Sequence, residues 1–99
     1  MTKFRQSPQV EHFIQSLAPD PKKAVRAGIK CIANHSSDVK HLEGDLTGWQ
    51  RLRVQNYRII FKEIHRDGTR IIDCVYANRR SIVYELFREL LKNQLLKDN

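Results

Sequence analysis

The chain has 99 residues, a length that predicts one domain over residues 1–99 with a single modest core. It is 40% hydrophobic and 29% charged, which excludes a disordered tail, and no apolar run approaches the roughly 20 residues of a membrane span. Lys and Arg total 18 against 11 Asp and Glu, so a net charge of +7 favours a polyanionic partner such as nucleic acid, although charge alone is equally compatible with a basic soluble protein.

Two short helices are predicted in the first third of the chain. Ser7-Pro8 is typical of an N-cap followed by a first-turn proline, and apolar residues then recur at helical spacing up to Leu17. Asp20-Pro21 repeats this start signal, and a second apolar stripe continues to Ile32. The pattern predicts an antiparallel helical pair. The N-terminus has no signal-peptide segment, which predicts a cytoplasmic protein without a membrane partner.

An antiparallel meander is predicted after residues 37–48, which lack periodicity and are interpreted as a connection. The middle strand is apolar on both faces near its centre, so we expect it inside the sheet. The four residues Thr2 to Arg5 are a candidate for an additional edge strand. Two turns, Gln55-Asn56 and Arg66 to Thr69, separate the three predicted strands, which are Trp49 to Val54, Tyr57 to His65 and Arg70 to Ala77.

A final amphipathic helix is predicted after Ser81, a candidate N-cap. Its apolar residues follow helical spacing from Ile82 to Leu91. This stripe is either core or a docking surface for a partner, and core is favoured because a small domain must bury its helices.

The cysteines and histidines form no recognisable ligand pattern. Cys31 and Cys74 are isolated, and no two histidines have the spacing of a metal site. We therefore predict neither a metal nor another cofactor, and we expect both cysteines to be small buried residues.

Several arginines are expected to meet at one end of the sheet. Strand alternation places Arg51 and Arg53 on one face and turns Leu52 toward the core. Arginine binds phosphate oxygens bidentately and stabilises charge that develops during phosphoryl chemistry. Solvated surface arginines and a packed aromatic residue are the alternatives. The candidate set is Arg51, Arg53, Arg58, Arg79, Arg80 and Tyr84.

Two ordered segments carry a family resemblance. LEGDLTGWQRLRVQNYRIIF, residues 42–61, is followed after a DG hairpin by IIDCVYANRRSIVYELF, residues 71–87. This set resembles the RelE/ParE superfamily of bacterial toxin–antitoxin toxins. The resemblance implies an α+β fold in which two N-terminal helices pack on a curved antiparallel sheet of three to four strands, with a C-terminal helix.

The resemblance also implies an activity. RelE-type members are ribosome-dependent endoribonucleases that cut mRNA without a metal, whereas ParE-type members inhibit DNA gyrase by protein binding. Both types are held inactive by a cognate antitoxin protein. The RelE-like branch is favoured here, with ribosome and mRNA as partners, and DNA gyrase is the partner in the alternative.

The site residues follow from the same comparison. Arg58, Tyr84 and one of Arg79 or Arg80 match the catalytic positions of RelE-type enzymes, and Arg51 and Arg53 match basic positions expected to bind RNA. Some relatives have Gly-His-Arg-Arg where this chain has ANRR, residues 77–80, so a histidine that could act as acid or base is missing there. Arginine and tyrosine titrate well above neutral pH, so catalysis is expected to rest on positioning.

Overall fold

A five-stranded sheet lies between two N-terminal helices on one face and one C-terminal helix on the other. The computed structural model describes residues 1–97. The elements are β1 (Thr2–Gln6), α1 (Pro8–Ser16), α2 (Pro19–Cys31), β2 (Val39–His41), a 3₁₀ turn (Gly44–Leu46), β3 (Gln50–Val54), β4 (Tyr57–Arg66), β5 (Thr69–Arg79) and α3 (Val83–Lys97).

The strand order β1-β5-β4-β3-β2 places β4 at the centre of the sheet, as its two apolar faces predicted. The α+β class, the two N-terminal helices and the C-terminal helix are confirmed. The sheet has five strands rather than three to four, because the connection over residues 37–48 contains β2, whose three residues are too few to show a period. The edge strand at Thr2–Gln6 is also confirmed, but it pairs with β5 in parallel.

Apolar side chains alternate between two cores along the central strand. Ile59 and Phe61 face α1 and α2, whereas Ile60 faces α3, and all three are fully buried. A β-bulge opposite Ile60 and Phe61 adds one residue to β5. As a result Val75 and Tyr76 both pack on the α3 side of the sheet.

The start of α1 is fixed by the predicted cap. The Ser7 hydroxyl accepts a hydrogen bond from the Val10 amide and donates one to the Val75 carbonyl. The Gln9 side chain then bonds both the amide and the carbonyl of Ala77, which continues the pairing of β5 where β1 ends. Hydrogen bonds between the Ser7 and Gln9 side chains and the β5 backbone therefore hold this short helix in place, in addition to the burial of its apolar side chains.

Other helix ends differ from the predicted ones. Helix α2 begins at Pro19, because proline is accepted at the first helical position and the Asp20-Pro21 signal lies within the first turn. Helix α3 begins at Val83, two residues after Ser81. Cys74 is buried as expected, and burial raises the pKa of its thiol to about 12. Cys31 is only half-buried, because it ends α2 at the margin of the core.

Gly28 marks the closest approach of α2 to the sheet. A Cβ at this position would lie 2.8 Å from Val54 Cγ2. We expect Gly28→Ala to lower the free energy of unfolding by about 1 kcal/mol, because overpacking outweighs the helix-propensity gain of about 1 kcal/mol. Denaturant unfolding checks this. In a Val54→Ala background the clash is absent, so the same substitution should stabilise the protein; a loss of stability there would contradict the packing argument.

Candidate functional site

Four of the predicted residues lie together in a cleft of about 310 Å³ at one end of the α3 face of the sheet. We call it the arginine cleft. The cleft is bordered by β2, the segment that follows it, β3, β4 and the start of α3. Its lining residues are Lys40, His41, Leu42, Glu43, Arg51, Arg58, Arg80 and Tyr84.

Arg58 is the buried cation of this cleft, with a residue exposure of 6%. Its Nη1 donates to the carbonyls of Gln55 at 3.0 Å and Tyr57 at 2.8 Å. Both bonds use one nitrogen, so Nη2 and Nε have no protein acceptor within residues 1–97. The β3–β4 turn, where Gln55 has φ of 53°, therefore fixes the guanidinium and leaves one edge of it available for a ligand.

The charge around Arg58 is strongly positive. Burial lowers the pKa of Arg58, the nearby Tyr84 hydroxyl raises it, and the neighbouring Arg53, Arg51 and Arg80 lower it further. Loss of hydration and repulsion by the neighbouring cations both lower the pKa, because each disfavours the charged form of the guanidinium. A phosphate in the cleft would relieve this repulsion, because its negative charge lies near several guanidinium groups at once.

Arg51 and Arg53 lie on the same face of β3, as strand alternation predicted, but they differ in exposure. The Arg51 side chain is 14% exposed and lines the arginine cleft, whereas that of Arg53 is 56% exposed and stands opposite Arg58 at the rim. Asp38 contacts both: its carboxylate lies 3.1 Å from Arg51 Nη1 and 3.9 Å from Arg53 Nε. The Asp38 carboxylate thus competes with any external anion for contact with these two arginines.

This arrangement predicts tighter nucleic-acid binding after Asp38→Asn. An exposed ion pair contributes about 0–1 kcal/mol, so removing the competing charge should increase affinity up to about fivefold at low salt. The measurement is fluorescence anisotropy with a labelled RNA. Asp67→Asn is the charge-matched control, since Asp67 lies in the exposed β4–β5 turn. Equal gains in the two variants would show that net charge alone is responsible.

The structure separates Arg79 from Arg80, which the sequence left ambiguous. Arg79 pairs with Tyr57, whose ring packs edge-on against Phe13 of α1, so Arg79 lies on the opposite face of the sheet. Arg80 lines the arginine cleft, and its amide donates to the Asn56 carbonyl at 2.8 Å. This bond ties the end of β5 to the same turn that holds Arg58.

Tyr84 reaches the arginine cleft because α3 is anchored one turn further on. Phe87 is buried, and its ring centroid lies 5.0 Å from that of Trp49 and 6.0 Å from that of Tyr76. Trp49 is therefore a packing residue, with Lys62 Nζ 4.2 Å from its ring centroid. The aromatic contacts fix the helix against the sheet and so set the position of the Tyr84 hydroxyl.

Three ionisable residues of the arginine cleft, Lys40, His41 and Glu43, escaped the sequence interpretation because β2 was not recognised. Lys40 pairs with Arg51 in the sheet, so it adds a cation on the same face. His41 borders the cleft but pairs with Gln50, which places its ring toward the opposite face. Glu43 follows β2 and is the carboxylate that lines the cleft.

The described part of the chain has no group of three or more His, Cys, Asp or Glu side chains arranged to hold a metal ion. Over residues 1–97 there is also no helix of the length and apolar character that crossing a membrane requires.

Several solved structures with a similar arrangement of helices and strands are toxins of toxin–antitoxin systems. A YoeB/ParE toxin from Agrobacterium tumefaciens superposes with a TM-score of 0.64 at 12% identity, covering 79% of this chain and 98% of that one. The chain has the RelE/ParE toxin fold. The resemblance first noted in residues 42–87 is thereby confirmed at the level of the fold.

Two archaeal complexes agree with this assignment. The RelE–RelB complex from Pyrococcus horikoshii OT3 gives a TM-score of 0.62 at 24% identity, covering 80% of this chain and 94% of that one. The RelB–RelE antitoxin–toxin complex from Methanococcus jannaschii gives 0.59 at 20% identity, with coverage of 84% and 98%. No protein-family model and no curated protein matches the sequence. The RelE/ParE fold of the chain thus rests on three-dimensional agreement.

Proposed function

We propose that the chain is the toxin of a toxin–antitoxin pair and cuts mRNA on the ribosome. The observation that carries this proposal is the convergence of Arg51, Arg58, Arg80 and Tyr84 in one cleft on a RelE/ParE fold. A cleft with three guanidinium groups fits a phosphodiester better than it fits an uncharged ligand. The antitoxins in the archaeal complexes support an antitoxin partner for this chain as well.

The proposed reaction is attack by a ribose 2′-oxygen on the adjacent phosphorus. A bond forms between the 2′-oxygen and phosphorus, the bond from phosphorus to the 5′-oxygen breaks, and the departing 5′-oxygen takes a proton from water. The products are a 2′,3′-cyclic phosphate and a 5′-hydroxyl, and DNA is not cut because it lacks the nucleophile. Arg58 and Arg80 hold the phosphate and stabilise its added charge, while Arg51 and Arg53 attract the backbone.

Tyr84 and Glu43 act on the nucleophile in this scheme. The Tyr84 hydroxyl hydrogen-bonds the 2′-hydroxyl and orients it, and the Glu43 carboxylate accepts its proton. The ribosome supplies the remaining part of catalysis by holding the mRNA in a splayed geometry. Little cleavage of free RNA is therefore expected.

Glu43→Gln tests the proton acceptor. We expect kcat to fall about tenfold, less than the roughly 10²- to 10⁴-fold typical of general acid–base catalysis, because water in the open cleft can partly replace the carboxylate. KM should not rise, since the substitution removes a negative charge from the phosphate site. Asp45→Asn is the matched control: Asp45 lies two residues away but bonds Arg88 of α3 outside the cleft. A Glu43→Gln enzyme with unchanged kcat would exclude this role.

The proposed function itself is tested with purified protein in two assays. Ribosomes programmed with a defined mRNA should yield a new 5′ end in the decoding site, mapped by primer extension. The same preparation added to DNA gyrase should leave supercoiling unchanged. Inhibition of supercoiling without mRNA cleavage would establish the ParE-like alternative. Expression without growth arrest would indicate a nucleic-acid-binding module that is not a toxin.

The surface of α3 supports an antitoxin partner. Val83 and Phe87 are buried in the core, but Ile82 and Leu86 are 39% and 38% exposed. The apolar stripe predicted from Ile82 to Leu91 thus has two sides. One side, with Val83 and Phe87, belongs to the core, and the other presents Ile82 and Leu86 at the surface. We propose that an antitoxin segment covers this pair, and that co-expression of a small acidic protein encoded beside this chain relieves growth arrest.

A further inference from the structure

A second cationic surface lies on the opposite side of the molecule from the arginine cleft. Helix α2 turns its apolar stripe, which includes Val25 and Ile29, toward the sheet. Its outer side bears a groove of about 490 Å³. The groove is lined by Pro19, Lys22, Lys23, Arg26, Ala27 and Lys30, and we call it the α2 basic surface.

In the described part of the chain, the cations of the α2 basic surface lack the carboxylate partners that Arg51, Arg53 and Arg70 have on the sheet. Arg70 bonds Glu63 at 2.6 Å, and Arg51 and Arg53 contact Asp38. By contrast, none of the four cations on α2 forms an ion pair with a carboxylate of residues 1–97. Their charge is therefore available to an external anion.

The spacing of these cations matches a polyanion rather than a single anion. Lys22, Arg26 and Lys30 follow one another at four-residue intervals, so they lie on one stripe. Successive members are about 6 Å apart along the axis, and the stripe extends about 12 Å. Double-stranded DNA carries one charge per about 1.7 Å of its axis, and a stripe of this length would likewise face several phosphates of an RNA duplex at once.

The nature of the lining favours a double helix over a single strand. Surfaces for single strands combine cations with aromatic side chains on which bases stack. The α2 basic surface has no aromatic residue in its lining. Lysine and arginine contacts of this kind recognise the sugar–phosphate backbone and not the bases.

We infer that the α2 basic surface binds the phosphate backbone of a folded, double-helical RNA, separately from the strand that enters the arginine cleft. The sheet lies between the two surfaces, so one extended strand in the cleft cannot also lie along α2. The two surfaces together fit an RNA that encloses the protein from both sides. This inference rests on the proposed function only in taking RNA as the polyanion.

The test compares two triple variants of the full chain in an Arg58→Ala background, which strongly slows cleavage. One carries Lys22→Gln, Arg26→Gln and Lys30→Gln, and glutamine preserves helix propensity. The matched control carries Lys3→Gln, Arg66→Gln and Lys92→Gln, three exposed cations outside both surfaces. Binding of a labelled blunt RNA duplex is followed by anisotropy between about 50 mM and 200 mM salt.

The α2 variant should bind at least about tenfold more weakly than the control at low salt, and its slope of log K against log salt should be smaller by about 2 to 3. Equal losses in the two triple variants would overturn the inference, since they would reflect net charge only. A salt slope in the α2 variant equal to that of the control variant would also overturn the inference.

The ribosome assay separates this inference from the proposed function. With Arg58 restored, the α2 variant should show a raised KM for programmed ribosomes and an unchanged kcat. If the chain cuts no mRNA at all, the proposed function fails while the duplex comparison still decides the inference. If mRNA is cut and the two triple variants bind the duplex alike, only the inference fails.

Discussion

Arg58→Ala is expected to reduce the rate of mRNA cleavage on the ribosome by about 10²- to 10³-fold. Removing one preorganised donor from developing negative charge costs this much in comparable sites. Arg58 is the buried cation of the arginine cleft and its free guanidinium edge has no other protein acceptor within residues 1–97, so no neighbouring side chain holds the same position. Primer extension on programmed ribosomes, under single-turnover conditions, measures the effect.

Two controls separate chemistry from folding in this experiment. Arg58 also bonds the Gln55 and Tyr57 carbonyls, so its loss should lower stability by about 1–3 kcal/mol, which thermal unfolding will show. Arg58→Lys retains the charge but not the planar fork, and should recover only part of the rate. Arg79→Ala removes the same side chain from the opposite face and should cut normally. A folded Arg58→Ala protein with an unimpaired rate would refute the assignment.

Phe87→Ala is expected to lower the free energy of unfolding by about 3–5 kcal/mol. The substitution leaves a cavity between α3 and the sheet, where the ring now contacts Trp49 and Tyr76. Denaturant titration gives the value. Phe87→Leu, which largely conserves volume, should cost less than about 1.5 kcal/mol.

The neighbouring residue on α3 is the matched control for this effect. Leu86 is 38% exposed, so Leu86→Ala should change stability far less than Phe87→Ala. Because α3 also carries Tyr84, the Phe87→Ala variant should lose the proposed mRNA cleavage at temperatures where it is still folded. A change below about 1 kcal/mol would show that α3 is not anchored by this ring.

Local patterns in the chain predicted most of the elements. The hairpin from β4 to β5 follows from Asp67-Gly68, whose positive φ values of 51° and 76° suit a two-residue turn between twisted strands. The Ser7 cap and the buried centre of β4 could also be predicted from the sequence, because each depends on a few adjacent residues. Strand β2 was missed, since three residues give no period and its pairing partner lies about ten positions further on.

The candidate site could be predicted only in part, because much of it depends on contacts between residues that are distant in sequence. Alternation along β3 placed Arg51 and Arg53 on one face, and that prediction is confirmed by their positions. Register across β4 and β5 was needed to see that Arg79 and Arg80 lie on opposite faces. The contact of Asp38 with two arginines and the entry of Glu43 into the cleft depend on where β2 docks, which no local pattern encodes.

The sequence by itself determined the α+β class, the basic character and the arginine-rich hairpin, because charge and short-range periodicity are properties of neighbouring residues. The resemblance that it carried pointed to the RelE/ParE fold. Only the tertiary structure decided which cations share a cleft, which one is buried among them, and that a separate cationic surface lies on the opposite face. Those outcomes depend on strand register and on the layer that each helix covers, and long-range packing of the whole sheet sets both.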